Sequence, residues 1–409
     1  MVISYPASQQ DFIHELEAMA AKFDAMNPVL ETGLRDPAQG VEGYVVVWNT
    51  SICQGGALFA NGKGCGKGGT RILKGLSLHD VKRLARAMAK KNAAAGLPLG
   101  GAKSGLNCDP SDPDYEQKFR RFVSLVKEAG LLYEDGGVFG GFGYDIGGKP
   151  PYNAVWSCDE LGSGKSFTGK PLDMGGTDYD RIGIAGLGVA TAGKTVLEYK
   201  GINPADTIFA VQGLGAMGAA VTNYMHQYGA RLKALSDPKF GGTWRFRSCA
   251  SGDMVAALFA HDQKRITTLL KEEATLISDD PSGALYENVD MVFPCAMEDA
   301  ITTDNAEKIK TRLICEGANN PTTADAKPVL FDMGKTLIPD ILANPGGIIA
   351  AFVEMTSDAQ DKSIEAITKT REIIEQNIKT MMKGVDELNV RPDQMADYMT
   401  YMNLFRYES

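Results

Sequence analysis

The run Thr207-Ile-Phe-Ala-Val-Gln-Gly-Leu-Gly-Ala-Met-Gly218 passes from an apolar strand pattern directly into G-x-G-x-x-G. The pattern predicts a helix from there through Tyr228 and a second strand over Arg231 to Ser236, with Asp237 at that strand's end. The glycines alone say little. Strand, glycine turn, helix, strand and terminal acid within about thirty residues describe a βαβ unit built for a dinucleotide. Gly213 permits the tight turn, Gly215 lets backbone N–H groups reach a pyrophosphate, and Gly218 allows helix and strand to pack closely. Ala216 and Met217 open the helix, whose N-terminus presents its positive dipole end to phosphates. Asp237 would accept hydrogen bonds from the adenosine ribose hydroxyls, which favours NAD. Lys239, two residues on, could meet a 2′-phosphate, so NADP stays open.

Further β/α alternation follows, with short apolar strands expected at Thr275–Ser278, Asp290–Phe293, Arg312–Cys315 and Thr336–Ile338. This predicts an α/β protein with a doubly wound parallel sheet in its second half. Upstream, Phe12, Leu16, Met19 and Phe23 recur on one helical face, Tyr44-Val-Val-Val-Trp48 reads as a strand, and Gly69–Leu73 as a later one. Ser77 caps a helix with the stripe Val81, Leu84, Ala85 and Met88, running just past Lys91; another spans roughly 113–128. Ser357–Leu388 reads as a long amphipathic helix or a pair of them. At 409 residues two domains are expected.

A second glycine-dense stretch, Gly96-Leu-Pro-Leu-Gly-Gly-Ala-Lys-Ser-Gly-Leu-Asn-Cys-Asp-Pro110, encloses one lysine, Lys103. It reads as a loop that takes positive φ or presses against a ligand, with a partly dry lysine of lowered pKa. An ordinary turn carrying a solvated lysine fits the same residues. A phosphate loop does not, because Ala102 separates Gly101 from Lys103; at Gly162-Ser-Gly-Lys-Ser166, Asp159 stands where the first glycine belongs. Between Gly130 and Pro150 the chain is again rich in glycine and carries Asp145, which as a loop aspartate could equally make an Asx-turn.

Composition excludes several classes. A net charge of −9 argues against a nucleic-acid surface. The seven cysteines, at 53, 65, 108, 158, 249, 295 and 315, form no C-x-x-C pair and suggest reduced thiols rather than disulfides or zinc. Four histidines offer no metal cluster, and no run of about 18 apolar residues predicts a membrane span. A cytoplasmic protein is expected.

Several segments resemble the glutamate/leucine/phenylalanine/valine dehydrogenase family. Gly96 to Pro110 is similar to its lysine region and the Asp-Pro that follows. Lys67-Gly-Gly-Thr-Arg71, Lys91-Asn-Ala93, Asp145-Ile-Gly147, Glu316-Gly-Ala-Asn319, Pro321-Thr-Thr323, Pro339–Asn344 and Gly346-Gly347 match others in order, over roughly residues 40 to 355. The resemblance implies that Lys103 is the catalytic lysine, Asp145 the proton-transferring aspartate, and Lys91 the grip on the substrate α-carboxylate. Lys67 stands where glutamate-using members bind the side-chain carboxylate, and its spacing of 24 residues to Lys91 agrees with that branch. Asn319 and Asn344 resemble asparagines lining the nicotinamide and substrate side of a cleft between the domains.

Departures from the family pattern are Ser104 for a glycine, Pro345 for an alanine, Ala185 for a threonine beside the nicotinamide, and Ala351 for a serine in the substrate pocket. The stretch from Phe139 to Tyr144 also differs. The implied activity is NAD(P)-dependent oxidative deamination of an L-amino acid to its 2-oxo acid and ammonium, with glutamate first. A leucine-, valine- or phenylalanine-type substrate is the alternative, and a non-catalytic nucleotide-binding paralogue is a rival of another class. The expected layout is a substrate and oligomerisation domain over residues 1–180 with 356–409 packing back on it, and a Rossmann domain over 181–355. The family implies a homo-oligomer, hexamer or octamer.

Overall fold

The structure is a computed structural model describing residues 4–50, 62–359 and 361–406. Cys53 lies outside the described residues; the other six cysteines are free thiols. The chain forms two compact units. One consists of His14–Tyr179, Ile348–Ala366 and Tyr398–Ser409, the other of Met1–Ile13, Asp180–Gly347 and Ile367–Asp397.

The first unit is built on β1 (Leu30–Asp36), β2 (Val41–Val47), β3 (Gly66–Lys67), β4 (Thr70–Ile72) and β5 (Gly100–Leu106). β2 pairs antiparallel with β1 and β5, and the other edge of β5 carries β3 and β4 in succession, both parallel to it. β2 is apolar from Tyr44 to Val47 because its sheet is covered on both faces there. Val41, Val45 and Val47 enter one core with Phe119, Phe122 and Val126, while Tyr44 and Val46, with Trp48 just beyond, enter another with Val81, Ala85 and Ala89. The helices of this half are α1 (Gln9–Asp24), α2 (Leu78–Ala94), α3 (Tyr115–Glu128) and α4 (Tyr152–Leu161). α2 opens with a capping box: the Ser77 hydroxyl accepts from the Asp80 N–H at 3.3 Å and the Asp80 carboxylate from the Ser77 N–H at 3.0 Å.

One expectation is corrected here. The Gly96–Pro110 stretch is not a loop. Its middle is β5, the strand that joins the sheet, and a Cβ on Gly100, Gly101 or Gly105 would run into other parts of the chain. The Gly162-Ser-Gly-Lys-Ser166 run is also explained, since it follows α4 and leads into a short strand, not a helix. β6 (Phe142–Gly143) pairs with that strand, β7 (Phe167–Thr168).

The second unit holds seven strands. β8 (Ile208–Gln212), β9 (Arg231–Asp237), β12 (Met291–Pro294), β13 (Leu313–Cys315) and β14 (Thr336–Ile338) are parallel. β10 (Gly242–Phe246) has no counterpart among the expected strands, and it makes β11 (Ala274–Ser278), expected within the parallel set, an antiparallel edge strand. The order across the sheet is β11-β10-β9-β8-β12-β13-β14. After β9 the turn Pro238–Phe240 and the positive φ of Gly241 and Gly242 reverse the chain at once, so the next strand returns antiparallel.

The expected boundaries also shift. The long C-terminal helix is divided into Gly346–Thr356 and Ser363–Leu388, followed by Pro392–Leu404. Residues 367–397 belong with the dinucleotide unit rather than packing back on the first. A Cβ on Gly188, in the helix Ile184–Tyr199, would lie 2.8 Å from Ile374 Cδ1, whereas Tyr401 and Leu404 join Phe23 and Trp48 in a core of the first unit. Among the described residues no helix is long and apolar enough to cross a membrane, and no group of acidic, histidine or cysteine side chains could hold a metal ion.

Candidate active site

β5 explains why Lys103 is surrounded by glycine. Strand alternation places Gly101, Lys103 and Gly105 on one face, toward α2. A Cβ at 101 would sit 2.1 Å from the Ala89 nitrogen, and one at 105 would sit 2.4 Å from Leu76 Cδ2. The helix can therefore press onto the strand only because both positions lack side chains, and Lys103 is the one side chain left on that face between them. Ser104 points the other way, where its hydroxyl meets that of Thr70 at 2.8 Å in the interior. This accounts for the serine at a family glycine.

Lys103 is 6 % exposed, and its Nζ lies 2.7 Å from Asp145 Oδ2. Arg71 holds the same carboxylate through Nε to Oδ2 at 3.0 Å and Nη2 to Oδ1 at 3.2 Å. Asp145 thus makes an ion-pair cluster. Burial holds the Lys103 pKa below its ordinary value despite the Asp145 charge, with Arg71 adding to the depression. Burial alone would raise the Asp145 carboxyl, but Lys103 and Arg71 reverse this and hold it low. The cation pressing on Lys103 is Arg71. In the sequence Arg71 is only one letter of a motif, and nothing local shows that β4 brings it beside a residue 74 positions away.

Lys67 takes another direction. It is 4 % exposed, and its Nζ donates to the carbonyls of Gly68 at 3.3 Å, Gly141 at 3.1 Å and Phe142 at 2.5 Å. Burial brings its pKa down to about 7. The Phe139–Tyr144 stretch, unexplained from sequence, supplies two of these carbonyls and buries Phe139 and Phe142 in the core. Lys91 lies in the last turn of α2; its neighbour Asn92 donates to the carbonyls of Lys67 at 3.1 Å and Gly100 at 2.7 Å. Ala351 is buried in the helix Gly346–Thr356. Glu354, one turn on, receives the Gly169 N–H at 2.9 Å, the Lys170 N–H at 3.3 Å, the Thr177 hydroxyl at 3.3 Å and the Lys170 ammonium. Sequence reasoning missed this buried pair, which carries no motif.

In the dinucleotide unit Gly213 has φ +87° and no room for a Cβ, which would meet Ala296 atoms at 2.6 Å; at Gly218 a Cβ would lie 1.9 Å from the Gly213 carbonyl. A Cβ at Gly215 would meet nothing within 4 Å, and Gly215 caps the helix Ala216–Gln227 without a side-chain acceptor. Open space before bare helix N–H groups fits a pyrophosphate. Asp237 is buried and already engaged, accepting the Leu214 N–H at 2.7 Å and the Lys239 N–H at 2.8 Å. Asn344 donates to the Gly317 carbonyl and to Asn319 Oδ1, both at 3.1 Å, and its own buried Oδ1 has no partner. An orphaned amide oxygen beside an exposed asparagine fits a ligand that brings a donor, as a nicotinamide carboxamide does. Ala185 lies in the first turn of the helix Ile184–Tyr199, and Pro345 directly before the helix at Gly346, where its missing N–H is no loss.

The family described as Glutamate/Leucine/Phenylalanine/Valine dehydrogenase matches residues 175–406, and its dimerisation domain matches residues 37–135. Glutamate dehydrogenase A2 of Halobacterium salinarum is 32% identical over 351 residues, covering 82% of this chain and 79% of its own. The NADP(+)-dependent glutamate dehydrogenase of Pyrobaculum calidifontis is 32% identical over 304 residues, covering 72% and 70%. Among solved structures, Plasmodium falciparum glutamate dehydrogenase superposes with a TM-score of 0.75 at 19% identity, over 98% of this chain and 90% of that one. L-tryptophan dehydrogenase from Nostoc punctiforme gives 0.68 at 19% identity, over 96% and 100%. These two likenesses speak for the fold.

Proposed function

The chain belongs to the glutamate/leucine/phenylalanine/valine dehydrogenase family and is an amino-acid dehydrogenase, and from that premise we propose that it oxidatively deaminates L-glutamate to 2-oxoglutarate and ammonium, with Lys103 and Asp145 as its catalytic pair. The observation that carries the pair is the buried 2.7 Å contact between them. A nicotinamide cofactor, which the family implies, supplies the hydride acceptor for the substrate Cα when bound. Gly213, Gly215, Ala216, Met217 and Gly218 would hold its pyrophosphate, and Asn319 and Asn344 its carboxamide side. Lys91 would grip the α-carboxylate.

The remaining chemistry is proton movement. Water must add to the iminium carbon and lose a proton, and the departing nitrogen must gain one. Lys103 polarises the water and then the carbinolamine oxygen, while Asp145 passes the proton between oxygen and nitrogen. A lysine of depressed pKa can exchange protons near neutral pH, and a carboxylate held ionised can accept and return them.

Glutamate is preferred because Lys67, which becomes a cation once protonated, stands in this unit, and the relatives above are named for that substrate. A second reading is favoured by one observation: all three Lys67 N–H bonds meet backbone carbonyls, and Ala351 brings no hydroxyl. With Lys67 so engaged, an apolar side chain of the leucine, valine or phenylalanine type would be the better substrate. NAD is preferred over NADP because the buried Asp237 carboxylate repels a 2′-phosphate. The match of residues 37–135 to a dimerisation domain supports a homo-oligomer.

The test is a panel of L-amino acids with NAD and NADP, followed by absorbance of the reduced cofactor. Glutamate should lead; leucine or phenylalanine turned over far faster would reassign the substrate. Lys103→Ala should keep its fold and lose about 10² or more in kcat. Comparable turnover in that variant would remove Lys103 from the mechanism.

A further inference from the structure

Arg71 is the charged group at the site that the mechanism above leaves without a task. It stands on β4, paired with Gly105 across the strand edge, and its side chain is 19% exposed. Asp145, by contrast, lies on the chain between β6 and α4, with no strand or helix of its own to fix its side chain. We propose that Arg71 is a positioning residue for deamination: its two-pronged grip keeps Asp145 ionised and aimed at Lys103, so that Asp145 relays protons and Lys103 stores them. The inference rests on the assignment of Lys103 and Asp145 as the catalytic pair.

A carboxylate offers about four acceptor sites. Among the described residues three are taken, by Arg71 Nε, Arg71 Nη2 and Lys103 Nζ. One remains, which is what a relay needs to receive an N–H of the substrate amine or of departing ammonia. A guanidinium keeps its proton at every working pH, so this arrangement does not dissolve when Lys103 changes charge.

The charged groups around Asp145 are Lys103 from β5 and Arg71 from β4; Lys67 on β3 feels the Lys103 charge in turn. The Arg71 charge lowers both partners, disfavouring the ammonium of Lys103 and favouring the carboxylate of Asp145. Removing it raises both. Loss of Arg71 would therefore move the proton store upward in pH and let the carboxylate swing.

The grip is not needed to hold the loop itself. The Ile72 N–H donates to the Ile146 carbonyl at 2.9 Å, and the Gly148 N–H to the Asp145 carbonyl at 3.0 Å. These backbone bonds anchor residues 145–148 beside β4 whatever stands at 71. A substitution there is thus expected to act on the carboxylate and its charge rather than on the chain path.

The experiment compares Arg71→Gln and Arg71→Lys with the wild-type enzyme, measuring kcat, KM and the pH profile of kcat/KM from about pH 6 to about pH 10. Arg71→Gln should lower kcat about tenfold or more with little change in amino-acid KM. It should also move the acid limb of kcat/KM up by about one pH unit. Arg71→Lys keeps the charge and loses the fork, so it should lower kcat while leaving the limb within a few tenths of a unit. Wild-type kcat and an unmoved limb in Arg71→Gln overturn the proposal, as does a fall in activity with the limb unmoved, the mark of a merely structural role. Should Arg71→Gln fail to fold, Arg71→Lys decides: wild-type kcat there also overturns it. Lys103→Ala and Asp145→Asn, measured alongside, separate the two claims, because turnover in those variants removes the catalytic pair itself, whatever Arg71 does.

Discussion

The chemistry of Lys67 depends strongly on its surroundings. Its pKa is near 7 in the folded chain and 10.5 when free, so between those values the unfolded chain binds a proton that the native one has released. Stability therefore rises with pH across that window, by up to about 1.4 kcal/mol per pH unit for one proton. Below about pH 7 both states hold the proton, and the full penalty of burying the ammonium remains. Lys67→Met should be relatively stabilised near neutral pH and should lose this slope; chemical unfolding of both proteins from about pH 6 to about pH 10 measures it. Equal slopes would mean that Lys67 stays charged in the fold. The same variant bears on substrate, since it should lower glutamate activity at least about tenfold if Lys67 meets the side-chain carboxylate. An apolar substrate should be unaffected or improved.

At the scale of elements, the two glycine-rich segments use glycine for opposite reasons. In β5 the missing side chains admit α2; at Gly215 the missing side chain leaves open space before a helix N-terminus. Gly101→Ala puts a methyl 2.1 Å from the Ala89 nitrogen, against backbone that cannot move without lifting α2. It should destabilise by about 1–3 kcal/mol or more, the range of overpacked cores. Gly215→Ala meets no atom of the chain, so its melting temperature should stay near wild type while NADH affinity, followed by fluorescence titration, falls. Unchanged affinity would deny Gly215 a place at the pyrophosphate. As bare sequence both segments read as ligand loops, because a run of residues shows that glycine is required without showing what approaches it.

On the scale of the whole molecule, the first unit is closed by segments far away in sequence. Ile348–Ala366 belongs to it, and the buried Lys170–Glu354 pair ties that segment to residues 169–177. Glu354→Ala would leave the buried Lys170 ammonium without its counter-ion, only the Phe167 carbonyl remaining at 2.6 Å, and would remove the acceptor of the Gly169 and Lys170 N–H groups. A loss of about 3–5 kcal/mol is expected, the range for breaking one side of a buried pair. Urea denaturation reads it directly, and a loss under about 1 kcal/mol would mean that water or another acceptor replaces the carboxylate.

The sequence by itself determined the dinucleotide unit, because G-x-G-x-x-G after an apolar strand works through backbone geometry that is local to about thirty residues. Lys103 and Asp145 stood out as charged residues among glycines, but an ordinary turn lysine and an Asx-turn aspartate fitted them as well, and only the resemblance to the dehydrogenase family implied their roles. What the sequence could not carry was partnership. That Asp145 meets Arg71 and Lys103, that Lys67 faces three carbonyls, and that Glu354 holds Lys170 all depend on the chain folding back on itself, over 42 positions for Lys103 and 184 for Glu354. The same limit hid β10, because a short strand is specified by the neighbours it pairs with more than by its own residues. Strand order, the division of the C-terminal helices and the ion pairs at the site were decided by which surfaces packing brought together, and no local pattern encodes that.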